Sequence, residues 1–357
     1  MTFGDLSAAS WRGSMVCASL AAAVGCTWAR PVTYQIPPGL SASFTPSQMK
    51  ASETYAKTFC SVLGIEFGHE SWGGCDQYVD MPSAHPAEAL GAIRNDWILL
   101  RLPGFGAQCF DDITEAFKDA GQHLSDKHGI ESRYLPLEAF DTTEQNAIQI
   151  RTYMLQQPAS ARFIVVAHSK GAADVMTALV QYPDKVTQIK AVITVAGAVG
   201  GSWVVDRLER LNANVLSNLS LNCPSRALAA SPNAIDSMRR KNRHAFAATH
   251  EHLSVPAFSI SAVSKRAKTS KILRPLWDRV APYAREQDSH IVEHEAIVPG
   301  GIFLGRALGD HWAVAMPFDP NDKVKESIRR NLINHNKFPR AALVEAAVRI
   351  AVKKLPN

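Results

Sequence analysis

A doubly wound, mostly parallel α/β sheet is the fold class the sequence predicts, and three observations predict it. Apolar runs of strand length recur from about residue 95, at 97–104, 132–140, 162–169, 190–197 and 256–263. Several of them, such as "RFIVVAHS" and "KAVITVAG", are almost continuously apolar, as strands covered on both faces are. Segments with helix-period apolar positions, for example "FDDITEAFKDAGQHLSDKHG", separate the first four, and strand alternating with helix gives parallel pairing.

With 357 residues, 46% of them hydrophobic, the chain can build one large domain with a decoration or two ordinary domains, and its composition is that of a folded chain. Its 38 basic against 33 acidic residues leave a mild positive excess, which carries no footprint of nucleic-acid binding. No run of eighteen apolar residues predicts a spanning helix.

Taken in order, the elements begin with a targeting segment. Residues 14–24, "SMVCASLAAAV", form a short apolar stretch after Arg12, and Gly25-Cys26 follows. Residues 1–26 thus resemble an export signal with a lipoprotein-type cleavage site, although Ala23 stands where that motif has leucine and Asp5 weakens the positive start. A buried N-terminal helix is the alternative. Export would place the chain in the cell envelope, held to a membrane surface through a lipidated Cys26, or outside the cell. Cys60, Cys75, Cys109 and Cys223 would then be an even set in a disulfide-permissive compartment, with Cys60 and Cys75 the easiest pair to close. Their spacing contains no CxxC, so no structural zinc site is expected.

Residues 27–94 read as a tether followed by a helical and loop extension. Residues 27–45 are rich in proline and small polar residues, and a helix should start with Pro46 at its favoured first position and stop at Gly64. Residues 95–357 then form the main domain. Within it, about 200–253 break the strand–helix rhythm as a helical cap, and "RAALVEAAVRIAVKKL" reads as an amphipathic closing helix.

The chemistry centres on Ser169. It stands where a run of β-formers stops and a small-residue helix starts, flanked two residues away by Ala167 and Gly171. A nucleophile on a sharp strand-to-helix turn needs such small neighbours, because the backbone is bent and the helix packs close. A serine at a helix start can equally be an N-cap, so the pentapeptide alone leaves two readings. Three features favour the nucleophile. "LRLPGFGAQ" ends the first strand in a glycine-rich turn, where the backbone N–H of Phe105 could join that of Lys170 in facing an oxyanion. "REQDSHIV" offers Asp288 in a polar turn, and "LGRALGDHWAVAMPF" offers His311 in a loop. Asp288 competes with Glu286 and Glu293, and His311 with His290 and His294; Asp310 reads as a residue that caps its own loop.

In this order of strand, PGF turn, elbow, cap, acid and DHW loop, residues 95–318 resemble the α/β-hydrolase superfamily, and within it the bacterial lipases and esterases. Ala167 replaces the usual first glycine, a sterically mild change, and Pro103 replaces a histidine often found before the oxyanion glycine. The resemblance implies ester or lipid substrates and a two-step acyl transfer on Ser169, with His311 as base and Asp288 as its carboxylate. It implies no metal and no cofactor.

Two rival functions remain open at this stage. "HIVEH", residues 290–294, fits the H-x-x-E-H of some zinc peptidases, but Ile291 and Val292 are β-branched and Pro299-Gly300-Gly301 leaves little room for the helix that motif needs. On the bland reading His290 and His294 are polar loop or strand residues. The second rival keeps the fold and uses the pocket only to bind ligand. The basic stretches "MRRKNRH" and "SKRAKTSK" read as solvated faces, or as sites of attraction to anionic head groups.

Overall fold

A computed structural model describes residues 46–80, 89–107, 114–210, 232–249, 253–318, 330–331 and 337–355. The export-signal and tether segments, Cys26, Cys109, Cys223 and residues 211–231 of the expected cap lie outside these residues.

Six strands form one sheet in the order β2-β1-β3-β4-β5-β6: β1 Ile98–Leu102, β2 Glu131–Tyr134, β3 Phe163–His168, β4 Ile189–Val195, β5 Ala257–Ala262 and β6 Ile302–Ala307. Every neighbouring pair is parallel. Alternation along β3 shows why its sequence is apolar throughout. Ile164 and Val166 enter one core, while Phe163, Val165 and Ala167 enter the other. The second strand is shorter than its apolar run suggests, because Pro136 has no N–H to continue an edge ladder.

Helices cover both faces, as parallel sheets require. One face carries α1 (Pro46–Val62), α2 (Lys118–His128) and, last in the chain, α8 (Arg340–Lys354). The other carries α3 (Thr143–Leu155) and α4 (Lys170–Gln181), which pack on each other. Thr142 and Gln145 form a capping box at the start of α3. Between β4 and β5 lie α5 (Pro232–Ser237) and α6 (Arg240–Thr249), and α7 (Arg274–Val280) follows β5.

The closing helix is not amphipathic in its setting. Residues 340–352 of α8 are all buried, because α1 and α2 enclose the side that would otherwise meet water. Its charges are matched internally: Arg340 pairs with Asp119 at 2.9 Å, and Arg349 with Glu345 of the same helix at 2.6 Å. The first helix is likewise part of the core. Ser52 Oγ donates to Phe303 O, Tyr55 Oη donates to Leu343 O, and a disulfide joins Cys60 to Cys75. Gly305, at φ +130°, lets β6 bulge beneath α1, where Ser52 Cβ lies 3.7 Å from the position a side chain would take. No helix among the described residues is long and apolar enough to cross a membrane.

Candidate active site

All three residues singled out in the sequence meet at the C-terminal edge of the sheet, where open α/β sheets hold their ligands. Ser169 joins β3 to α4 with φ +52° and ψ −121°, and its side chain makes no capping bond to the helix. The helix-cap alternative therefore has no hydrogen bond behind it. Two close approaches force this turn. A Cβ on Gly171 would come within 2.4 Å of Pro103 O, and one on Gly104 within 2.8 Å of Ser169 Cβ.

Ser169 Oγ lies 2.9 Å from His311 Nε2, and His311 Nδ1 lies 2.7 Å from Asp288 Oδ2. A carboxylate can only accept, so Nδ1 carries the ring proton and Nε2 is free to accept from the serine. The acid is itself fixed. Its second oxygen accepts from the backbone N–H groups of His290 and Ile291, at 2.8 and 2.7 Å, and its carbonyl accepts from His311 N. Burial pushes the Asp288 carboxyl up to about 6, opposed by the neighbouring His290 and those two N–H groups. Burial also pushes His311 down to about 3, which leaves a neutral imidazole, the form a general base needs.

The turn after β1 runs against the serine. Gly104 O accepts from Ala107 N, so Phe105 sits in a tight turn beside Ser169, its ring edge-on to Phe140 at 5.4 Å. Lys170 opens α4, where backbone N–H groups have no partner within the helix. Its ammonium is buried and paired with Asp174 at 2.9 and 3.0 Å; Asn146 Nδ2 donates to the same carboxylate. Burial raises the Asp174 pKa, opposed by these partners. The glycine-rich stretch after β4 approaches from the other flank, with Ala198 N donating to Ser169 O at 2.9 Å.

The competing candidates go elsewhere. Glu293 binds Arg306 at 2.6 and 2.8 Å and accepts from Ser261 Oγ. Asp310 accepts from Ser270 N, Ser270 Oγ, Trp312 N and Ala313 N, and so caps its loop. Residues 293–296 form a short 3-10 turn in place of the α-helix a zinc peptidase motif requires, and His294 faces Glu295 while His290 lies beside Asp288 and His311.

Sequence reasoning missed three contributors. His168 is buried beside the triad, and its Nε2–H donates to His311 O at 2.9 Å; burial and the nearby His311 lower it to about 3. His290 is no bland loop residue, since its ring stacks on His311. Arg243, read within a solvated basic face, is 2% exposed and donates to Val199 O and Thr177 Oγ1 behind α4. Its neighbours are also engaged internally, Arg240 with Asp206 and His244 with Glu295. Only the direction of the α6 faces could have shown this.

No protein-family model matches the chain, and no curated protein matches it. Among solved structures, the chain is similar to a metagenomic carboxyl esterase at 29% identity and a TM-score of 0.72, over 89% of this chain and 98% of that one. It also shares its fold with lipase 1 from Pelosinus fermentans, at 10% identity and a TM-score of 0.52, over 74% of this chain and all of the other.

Proposed function

From an α/β-hydrolase fold of the esterase and lipase kind, we propose that this chain is a serine hydrolase of carboxylic esters, with Ser169 as nucleophile, His311 as base and Asp288 as its carboxylate. The observation that carries this reading is the unbroken relay from Ser169 Oγ to His311 Nε2 and from His311 Nδ1 to Asp288 Oδ2, at 2.9 and 2.7 Å.

In the reaction His311 takes the hydroxyl proton as Ser169 Oγ bonds to the ester carbonyl carbon. The carbonyl oxygen becomes an oxyanion between the N–H groups of Phe105 and Lys170, each worth roughly 3–4 kcal/mol in comparable sites. The imidazolium, stabilised by Asp288, gives its proton to the departing alkoxide, and an alcohol leaves. Water then repeats the sequence on the acyl-enzyme: His311 takes its proton, hydroxide attacks, and Ser169 Oγ leaves with that proton as the acid is released. No step needs a metal or a cofactor. Ester or lipid substrates follow from this chemistry.

Ser169→Ala removes one hydroxyl and should cut p-nitrophenyl ester turnover by roughly 10³-fold or more. The fold should survive, as circular dichroism would show. Undiminished turnover in a folded variant would end the serine-hydrolase reading.

We further propose that the chain is exported and held in the cell envelope through a lipidated Cys26. The Cys60–Cys75 disulfide, at home in an oxidising compartment, is what supports export.

A further inference from the structure

We propose that His290 is a positioning residue for the base: its ring, laid flat on His311, fixes the plane of the catalytic imidazole and screens it from water. The inference rests on the ester-hydrolase reading above.

The two rings lie 4.4 Å apart between centroids and only 15° from parallel. A histidine needs such a partner, because rotation about its second side-chain torsion is broad and not confined to staggered wells. The bond from Nδ1 to Asp288 pins one point of the ring, and a face contact sets the rest. Stacking at this distance also holds the face of a neutral ring without demanding a further hydrogen bond.

His290 is itself held from four directions. Its N–H donates to Asp288 Oδ1 at 2.8 Å, its carbonyl accepts from Ser202 Oγ at 2.8 Å, its Nδ1 lies 2.9 Å from Ser289 Oγ, and its ring lies near Trp312 at 6.3 Å. The preceding residue shows what this arrangement costs. Ser289 adopts φ +93°, a backbone region that residues other than glycine rarely enter and that costs about 1–3 kcal/mol. That turn lets one loop present a carboxylate to the edge of His311 and a ring to its face.

Other ionisable groups near His311 are few. His168, from the end of β3, approaches at 4.6 Å and is tilted by 41°; Asp288 lies on the acid loop; Asp310 is turned to Ser270 and its own loop. Burial lowers both His168 and His290, so neither adds a positive charge beside the neutral base near pH 7. Removing the His290 ring would admit water to His311 and relieve its desolvation, which moves the base upward toward an ordinary imidazole.

The test compares wild type, His290→Phe, His290→Asn and His290→Ala. The readouts are kcat and KM for p-nitrophenyl acetate and the pH dependence of labelling by a fluorophosphonate. His290→Ala is expected to lower kcat ~10-fold with KM little changed, and to shift the acid limb of labelling to higher pH. His290→Phe, which keeps a flat ring without a titratable group, should restore most of kcat and the wild-type limb; His290→Asn should not. A folded His290→Ala with wild-type kcat and limb would overturn the proposal. So would Asn performing as well as Phe, a comparison that still decides the matter if the alanine variant does not fold. Wild type that resists the fluorophosphonate would overturn the hydrolase reading and this inference together, whereas labelled wild type with an unaffected His290→Ala removes this inference alone.

Discussion

At Ser169 the chain accepts φ +52° so that a hydroxyl can meet an imidazole in place of a helix N-terminus. A residue other than glycine held there costs about 1–3 kcal/mol, and the packing around it must supply that. Burial there keeps the His311 ring neutral near pH 7, the form the proposed base needs. Burial lowers His311, so the active, unprotonated form is present above its depressed pKa and is lost as pH falls through it. The acid limb of kcat/KM for a soluble ester is therefore expected below about pH 6.5, the unperturbed imidazole value. A limb at or above pH 7 in a full pH–rate profile would contradict this. At this scale the sequence pointed to Ser169 through spacing and small flanking residues, which are written locally, and to Asp288 and His311 through chain order. The structure brings His311 within hydrogen-bond distance of the other two. His290 was not legible: its contact depends on the left-handed turn at Ser289, and nothing in "DSHIV" announces a serine at positive φ.

Between residue and domain, the turn from β3 into α4 shows how tightly elements are pressed together where the site is built. Gly171 lies against Pro103 O and Leu102, so even alanine should force β1 and α4 apart. Gly171→Ala is expected to cost ~1–3 kcal/mol in urea unfolding, as overpacking does, and to lower esterase activity by disturbing Ser169. Gly91→Ala, at a position with open space around it, is the matched control and should change neither. Equal stability of the two variants would show that the contact is not tight. Five strands could be read from their apolar runs, whereas the sixth could only be required to lie between Asp288 and His311. Its sequence is broken by Gly305, which serves the packing of α1. The burial of α8 on all sides was hidden for a similar reason. Periodicity shows which face of a helix is apolar, but not that a distant helix will cover the polar one.

For the whole molecule, the fold class was legible because alternation of strand and helix is a global property of the text, and the all-parallel sheet follows from it. The place of the N-terminal segment was less so; residues 46–67 look like an appendage in sequence and form part of the core in three dimensions. The Cys60–Cys75 link belongs to this scale because it fastens the end of α1 to the loop beyond it. Protein recovered from its native host should start at a lipidated Cys26, with Cys60 and Cys75 shielded from alkylation until a reductant is added. Intact and peptide mass spectrometry check both, and retention of Met1 with freely alkylated cysteines would reject export.

The contacts of α1 also bear on when the fold can close. Tyr55 waits for a carbonyl 288 residues away and Ser52 for one 251 residues away. A ribosome delivers α1 early and its partners last, and closing such long loops costs entropy before any contact compensates. The side of the sheet bearing α3 and α4 can assemble while the rest is still being made; the side bearing α1 and α8 cannot. A nascent chain halted short of residue 340 is therefore expected to leave exposed the apolar flank that α8 covers.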